Sequence, residues 1–97
     1  MEVLDRPKLT HLNIGKRNKI LKVEGSAGSR MPIHTCSHEA IILVQQREAL
    51  LQMPDGDKIL KAEDSFIIPA QKEHALKIKK NFRALVFMAV NAEINFI

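Results

Sequence analysis

Three side chains in this sequence could bind a metal ion or a small ligand inside a fold: His34, Cys36 and His74. Imidazole nitrogens and thiolates are good ligands for zinc and iron, and a neutral imidazole can also act as a base. The chain from His74 reads His-Ala-Leu-Lys-Ile, an alternation that predicts a strand with Ala75 and Lys77 on its water-facing side. We therefore predict that His74 points into the interior.

The other two candidates lie in residues 31–36, a second segment that is predicted to be extended. If no bulge intervenes, strand alternation places His34, Cys36 and His38 on one face, which makes His38 a reserve ligand. Met88 falls at a period of two within residues 82–90, so it is predicted to line the same interior and contact a ligand.

Short apolar segments separated by turn residues must position these side chains. Pro54-Asp55-Gly56-Asp57 is typical of a hairpin turn. Residues 40–51 also contain good helix formers, but their β-branched residues favour a strand. The pattern predicts an all-β antiparallel barrel or sandwich. The predicted strands span residues 8–14, 19–23, 31–36, 38–44, 48–53, 58–61, 82–90 and 93–97, together with a strand-turn-strand unit over 63–78.

Length and composition limit what the chain can be. Its 97 residues suit a single domain, 1–97, and the absence of tryptophan and tyrosine predicts an aliphatic core. No apolar run is long enough to span a membrane, and the first six residues contain two acids, which is not typical of a signal peptide. The single cysteine excludes an intrachain disulfide and favours a cytoplasmic location.

The net charge of +4 is mildly basic, and a solvated lysine face explains it as well as a polyanion partner would. Aromatic side chains that stack on bases are nearly absent, with four phenylalanines in the whole chain. We therefore expect neither a nucleic-acid partner nor a membrane partner.

Residues 28–78 resemble the cupins, a family of small double-stranded β-helix barrels of the jelly-roll type. The first cupin motif runs Gly, five residues, His, one, His, three or four, Glu, six, Gly. Gly28 and His34 match it, whereas Cys36 stands at the second His, Ala40 at the Glu and Arg47 at the final Gly.

The second cupin motif runs Gly, five residues, Pro, one, Gly, two, His, three, Asn. Pro69 and His74 match it, whereas Glu63, Gln71 and Ile78 stand at the first Gly, the second Gly and the Asn. A non-glycine residue at a position that needs positive φ would be destabilising by roughly 1–2 kcal/mol. Whether Arg47 and Gln71 are such positions is not decided by the sequence.

The resemblance implies a metal site. Cupins bind iron, manganese, nickel or zinc through two histidines and a glutamate of the first motif, together with the histidine of the second. Ala40 cannot replace the glutamate, but the thiol of Cys36 could replace the second histidine. The degenerate set is then His34, Cys36 and His74, with His38 in reserve, for a possible divalent metal. The alternative is that the histidines are neutral and hydrogen-bonded and that Cys36 is a small buried apolar residue.

Three functions remain open from the sequence. The first is a binding module for a small-molecule ligand, with His34, Cys36, His74 and Met88 as contacts and a weakly held metal. The second is a metal-dependent enzyme of the dioxygenase or isomerase type. The third is a structural or interaction domain, with residues 94–97 and the strand around Leu43 at an interface. The resemblance also implies a homodimer through sheet edges.

Overall fold

Ten β-strands make up the part of the chain that the computed structural model describes, residues 6–97. The expectation about a leader at the N-terminus concerns residues that lie largely outside this range. Within it, no helix could cross a membrane. The strands are β1 (Lys8–Ile14), β2 (Asn18–Gly25), β3 (Arg30–Cys36), β4 (Ala40–Gln46), β5 (Glu48–Gln52), β6 (Lys58–Lys61), β7 (Ser65–Ile68), β8 (His74–Ile78), β9 (Phe82–Ala89) and β10 (Ile94–Phe96).

The strands form two five-stranded sheets, in the orders β1-β2-β9-β4-β7 and β10-β3-β8-β5-β6. Neighbouring strands pair antiparallel in both sheets. The predicted all-β antiparallel fold is confirmed. The helical alternative for residues 40–51 is wrong, because these residues form β4 and β5, which belong to different sheets.

The core lies between the sheets and is filled mainly by aliphatic side chains. Strand β4 shows the reason: Ala40, Ile42 and Val44 alternate with more exposed neighbours, and all three are buried. Phe82 is the aromatic residue of the core, with 4% of its surface exposed. The predicted aliphatic core is therefore confirmed, apart from this one ring.

A bulge in β3 changes which of its residues face inward. Met31 pairs with Leu76 and His34 pairs with His74, so three steps along β3 match two along β8. Pro32 has no N–H to donate to the neighbouring strand, which suits a residue at a bulge. Because of the extra residue, Met31 and His34 are both buried, although plain alternation would place them on opposite faces.

Two expectations from alternation are wrong. His38 lies beyond the end of β3 at Cys36, where the chain bends, so strand alternation no longer sets its direction. Ala75 was expected to face water but has only 2% of its surface exposed. This small side chain lies in a surface recess that Ile33 and Met53 also line.

The backbone is left-handed at three non-glycine residues that occupy glycine positions of the motifs quoted above. The φ angles are 64° at Arg47, 76° at Glu63 and 64° at Gln71, and Gly28, the retained glycine, has φ of 90°. Two of these turns bring a backbone N–H to a neighbouring strand. Glu63 donates to the Val44 carbonyl and Gln71 donates to the Cys36 carbonyl, each at 2.8 Å.

Candidate functional site

A cavity of about 60 Å³ lies between the two sheets. Both sheets contribute to its wall, which is largely apolar: Leu21, Val23, Ile42, Leu51, Ile68 and Leu76 are among its lining residues. Each of these six residues is at most 5% exposed, whereas Leu9, which also lines the cavity, is 36% exposed. An apolar cavity of this kind is the usual form of a small-molecule site when a few polar groups converge on it.

The polar groups that converge here are two imidazole rings. His34 and His74 are direct partners across β3 and β8, and both line the cavity. Their ring centroids are 4.1 Å apart with an interplanar angle of 63°, an edge-to-face contact. Only 4% of His34 and 6% of His74 is exposed. The prediction that both rings point inward is thus confirmed.

Both rings are oriented by the same kind of hydrogen bond. The distance from Nδ1 to a backbone oxygen is 2.7 Å between His34 and Pro32, and 2.9 Å between His74 and Lys72. A carbonyl oxygen can only accept, so each Nδ1 must carry the hydrogen. In a neutral ring the other nitrogen, Nε2, is then a lone-pair acceptor. The bulge residue Pro32 supplies the oxygen that fixes the His34 tautomer.

Burial keeps both rings in the neutral form. It lowers the pKa of His34 from its ordinary value, a shift that the hydrogen bond to Pro32 opposes and the neighbouring His74 increases. Burial likewise lowers the pKa of His74, against the opposing effect of its hydrogen bond to Lys72. At neutral pH the site therefore contains two uncharged imidazoles.

A third ring extends this pair at the edge of the sheet. Phe96 in β10 is the direct partner of His34, and their ring centroids are 5.4 Å apart. The guanidinium carbon of Arg6 lies 5.1 Å from the Phe96 ring centroid, a cation–π contact. The sequence predicted a strand over residues 93–97 and a possible interface there, but not this contact of Phe96 with His34. Its place beside His34 depends on β10 pairing with β3, which no local pattern indicates.

The remaining predicted site residues are divided between the cavity and the surface. Cys36 and Met88 line the cavity, and both are buried. Their roles in contacting a ligand stay predictions. His38 is outside the lining of this cavity, and its Nδ1 lies 2.8 Å from the Ser37 hydroxyl instead. The structure therefore brings together the two predicted histidines, Cys36 and Met88, and leaves out the reserve ligand.

The donors at this site do not fit a firmly held metal ion. Ala40 lines the cavity at the position where an anionic oxygen ligand was expected from the motif. In residues 6–97, no three His, Cys, Asp or Glu side chains are placed where they could hold a metal ion together. The residues that line the cavity also include no aspartate or glutamate that could offset the charge of a divalent cation. The set His34, Cys36 and His74 as metal ligands stays a prediction.

Solved structures with the same architecture identify the fold. A cupin superfamily protein from Desulfitobacterium hafniense superposes with a TM-score of 0.80, at 23% sequence identity over 94% of this chain and 84% of its own. The chain has the cupin fold. The motif glycine positions that are left-handed in this chain agree with that fold, because glycine is the residue that adopts positive φ without strain.

Other solved cupin-fold structures are similarly related to this chain. The DMSP lyase DddQ from Ruegeria pomeroyi gives a TM-score of 0.83 at 22% identity, over 94% of this chain but 51% of that protein. The polyketide cyclase RemF from Streptomyces resistomycificus gives 0.80 at 20% identity, over 97% of this chain and 75% of that protein. No protein-family model and no curated protein matches the sequence. At these identities the likeness establishes the fold and leaves the activity to be argued from the site.

Proposed function

We propose that this cupin binds a small, largely apolar molecule in the cavity between its sheets, oriented by His34 and His74. The observation that carries the proposal is the pair of buried, neutral imidazoles in an otherwise apolar cavity. Each ring is held through its Nδ1–H and keeps Nε2 as a further hydrogen-bond acceptor. A ligand with a polar group would therefore gain a hydrogen-bond partner in an otherwise apolar wall.

The cavity sets the size of the ligand and the way in which it is held. Its volume of about 60 Å³ suits a molecule of a few heavy atoms, or the buried end of a larger one. The apolar wall would stabilise the bound state by about 25 cal/mol for each Å² removed from water. The two rings would set the orientation. We place this activity in the cytoplasm, where a reducing environment keeps the buried thiol of Cys36 free.

Filling the cavity tests this proposal directly. An Ala40→Val substitution adds two methyl groups at the cavity wall, whereas Ala62→Val adds the same atoms at an exposed turn. In a screen of small neutral compounds by NMR, we expect binders to shift the methyl signals of Met31 and Met88, which line the cavity. Ala40→Val should abolish these shifts and Ala62→Val should keep them. Binding that is equal in both variants would place the ligand elsewhere.

The alternative of a metal-dependent enzyme is separated from this proposal by metal analysis. Among the proteins that share the fold, a lyase and a cyclase are named as such, so the fold accommodates catalysis. In this chain the donor set argues against a resident metal. We expect protein that is purified without a histidine tag to contain little iron, zinc, nickel or manganese. Near-stoichiometric metal that is lost in His74→Ala but kept in His38→Ala would support the enzyme instead.

Apolar residues on the outer face of the first sheet favour a homodimer, with a second copy of the chain as the partner. Ile20, Phe87, Ile41 and Ile67 are successive cross-strand partners over four strands and form an apolar row, which we call the outer row. Ile41 is 43% exposed and Ile67 is 54% exposed. Leu43, whose strand was expected from the sequence to serve an interface together with residues 94–97, lies two residues from Ile41 and shares its face. Two outer rows related by a two-fold axis would cover each other.

Light scattering tests the homodimer. We expect the unmodified chain to have the mass of a dimer and Ile41→Lys to have that of a monomer, because the charge would be buried in the interface. Ile59→Lys is the matched control, since Ile59 is similarly exposed, at 51%, but lies in the other sheet. A monomer at high concentration of the unmodified chain would contradict the proposal.

A further inference from the structure

The two histidines of the cavity offer a ligand hydrogen-bond acceptors but no hydrogen-bond donors. Both Nδ1–H groups are already donated to backbone oxygens, at 2.7 Å from His34 to Pro32 and at 2.9 Å from His74 to Lys72. Each neutral ring has one donor and one acceptor, so neither has a hydrogen left for a ligand. Each neutral ring therefore keeps one free acceptor, the lone pair of Nε2, and both residues line the cavity. The ring centroids are 4.1 Å apart, so the two histidines meet at one place in the wall.

No other side chain that lines the cavity is a strong hydrogen-bond donor. Apart from the two histidines, the lining residues are alanine, valine, leucine, isoleucine, methionine and cysteine. The thiol of Cys36 is a weak donor, and the thioethers of Met31 and Met88 are weak acceptors. Within the described residues, the lining also contains no lysine, arginine, serine or amide side chain. The side chains of the cavity therefore offer two strong acceptors and no strong donor.

We propose that the ligand of this cavity is a neutral molecule with a short apolar body and a donor group, either an O–H whose hydrogen the Nε2 atoms of His34 and His74 share in a three-centre hydrogen bond or an NH₂ group that donates one hydrogen to each. This inference rests on the proposed function and specifies its ligand class. Short alcohols and primary amides have the required chemistry. Ethers and ketones leave both acceptors unpaired, and a carboxylate brings a further acceptor with a negative charge to a site that has no donor for it.

The tautomers can be measured on the unmodified protein. At pH 8, where an ordinary histidine is neutral, long-range ¹H–¹⁵N correlation spectra report which ring nitrogen carries the hydrogen. We expect the Nδ1–H form for both His34 and His74. A predominant Nε2–H form of either ring would overturn the proposal, because that ring would then be a donor toward the cavity. This measurement needs no variant and no ligand.

Ligand selectivity is measured with two isomers and an anion. Butan-1-ol and 1-methoxypropane have the same atoms and similar apolar bodies, but only the alcohol can donate, and butyrate is the charged counterpart. At pH 8 we expect butan-1-ol to shift Nε2 of both rings and to bind about tenfold more tightly than 1-methoxypropane, with butyrate weaker still. Equal or tighter binding of the ether or of butyrate would refute the donor requirement.

The results with these three compounds distinguish a failure of the proposed cavity binding from a failure of the proposed ligand class. If the ether or butyrate binds best and shifts the Met31 and Met88 signals, the cavity is a binding site but the proposed ligand class is wrong. If none of the three compounds shifts any cavity signal, the proposed function fails with it. In His74→Phe, which keeps a ring but removes its acceptor, we expect the preference for the alcohol to fall to about twofold. A preference that stays tenfold in the folded variant would also refute the role of His74.

Discussion

Relief of backbone strain at the three left-handed positions should stabilise this protein. Arg47, Glu63 and Gln71 have positive φ, and their side chains are exposed, so replacing each by glycine removes few contacts. Left-handed backbone is destabilising by about 1–2 kcal/mol for a residue with a Cβ atom. Removing that strain is partly offset, by roughly 0.4–1 kcal/mol, because glycine gives the unfolded chain a larger entropy. The net gain is then about 0.5–1 kcal/mol at each site.

For the triple variant Arg47→Gly, Glu63→Gly and Gln71→Gly, the gains sum to roughly 1.5–3 kcal/mol if the sites are independent. In a domain of this length, each kcal/mol raises Tm by about 4–8 °C. We therefore expect Tm to rise by about 6–24 °C. Thermal unfolding followed by circular dichroism measures the change, and urea unfolding gives the free energy independently.

Alanine variants of the same residues are the matched control. Alanine shortens the side chain as glycine does but keeps Cβ, so the backbone strain remains and Tm should change little. Gly28→Ala is the converse test: φ is 90° and no atom lies within 4 Å of the added Cβ, so any loss of stability comes from the backbone alone. Equal Tm values for the glycine and alanine series would refute the strain argument.

Three further predictions concern stability. Because burial lowers the folded-state pKa of His34 and His74, the unfolded chain binds more protons below about pH 6.5. The free energy of unfolding should be constant above that pH and fall below it, by at most about 1.4 kcal/mol per pH unit for each ring. Urea unfolding at pH 7.5 and pH 5.5 measures this difference, and equal free energies at the two pH values would contradict the prediction. Gly25→Ala should be destabilising by roughly 1–3 kcal/mol in the same assay, since its Cβ would overlap the buried side chain of Ile78. An unchanged urea midpoint would mean that the neighbouring side chains move aside without a loss of stability. Leu51→Ala should be destabilising by about 2–5 kcal/mol because Leu51 is only 1% exposed, and a loss below about 1 kcal/mol would mean that the core refills the space.

Local patterns in the sequence were enough to predict the strands. Alternation of apolar and polar residues marks a strand wherever one face is buried, and Pro54-Asp55-Gly56 marks the turn between β5 and β6. The left-handed turns are kept at Arg47, Glu63 and Gln71 because the surrounding strands impose them.

The sequence by itself determined the all-β fold and the inward direction of His74, because these follow from the period of two in its strands. The resemblance to cupins added the expectation that His34 lies in the same interior. Only the tertiary structure decided the rest. The bulge that turns both Met31 and His34 inward depends on how β3 aligns with β8, and the contact between Phe96 and His34 depends on where β10 docks. Strand register is a long-range property, set by packing between segments that are distant in the chain, so no local pattern contains it.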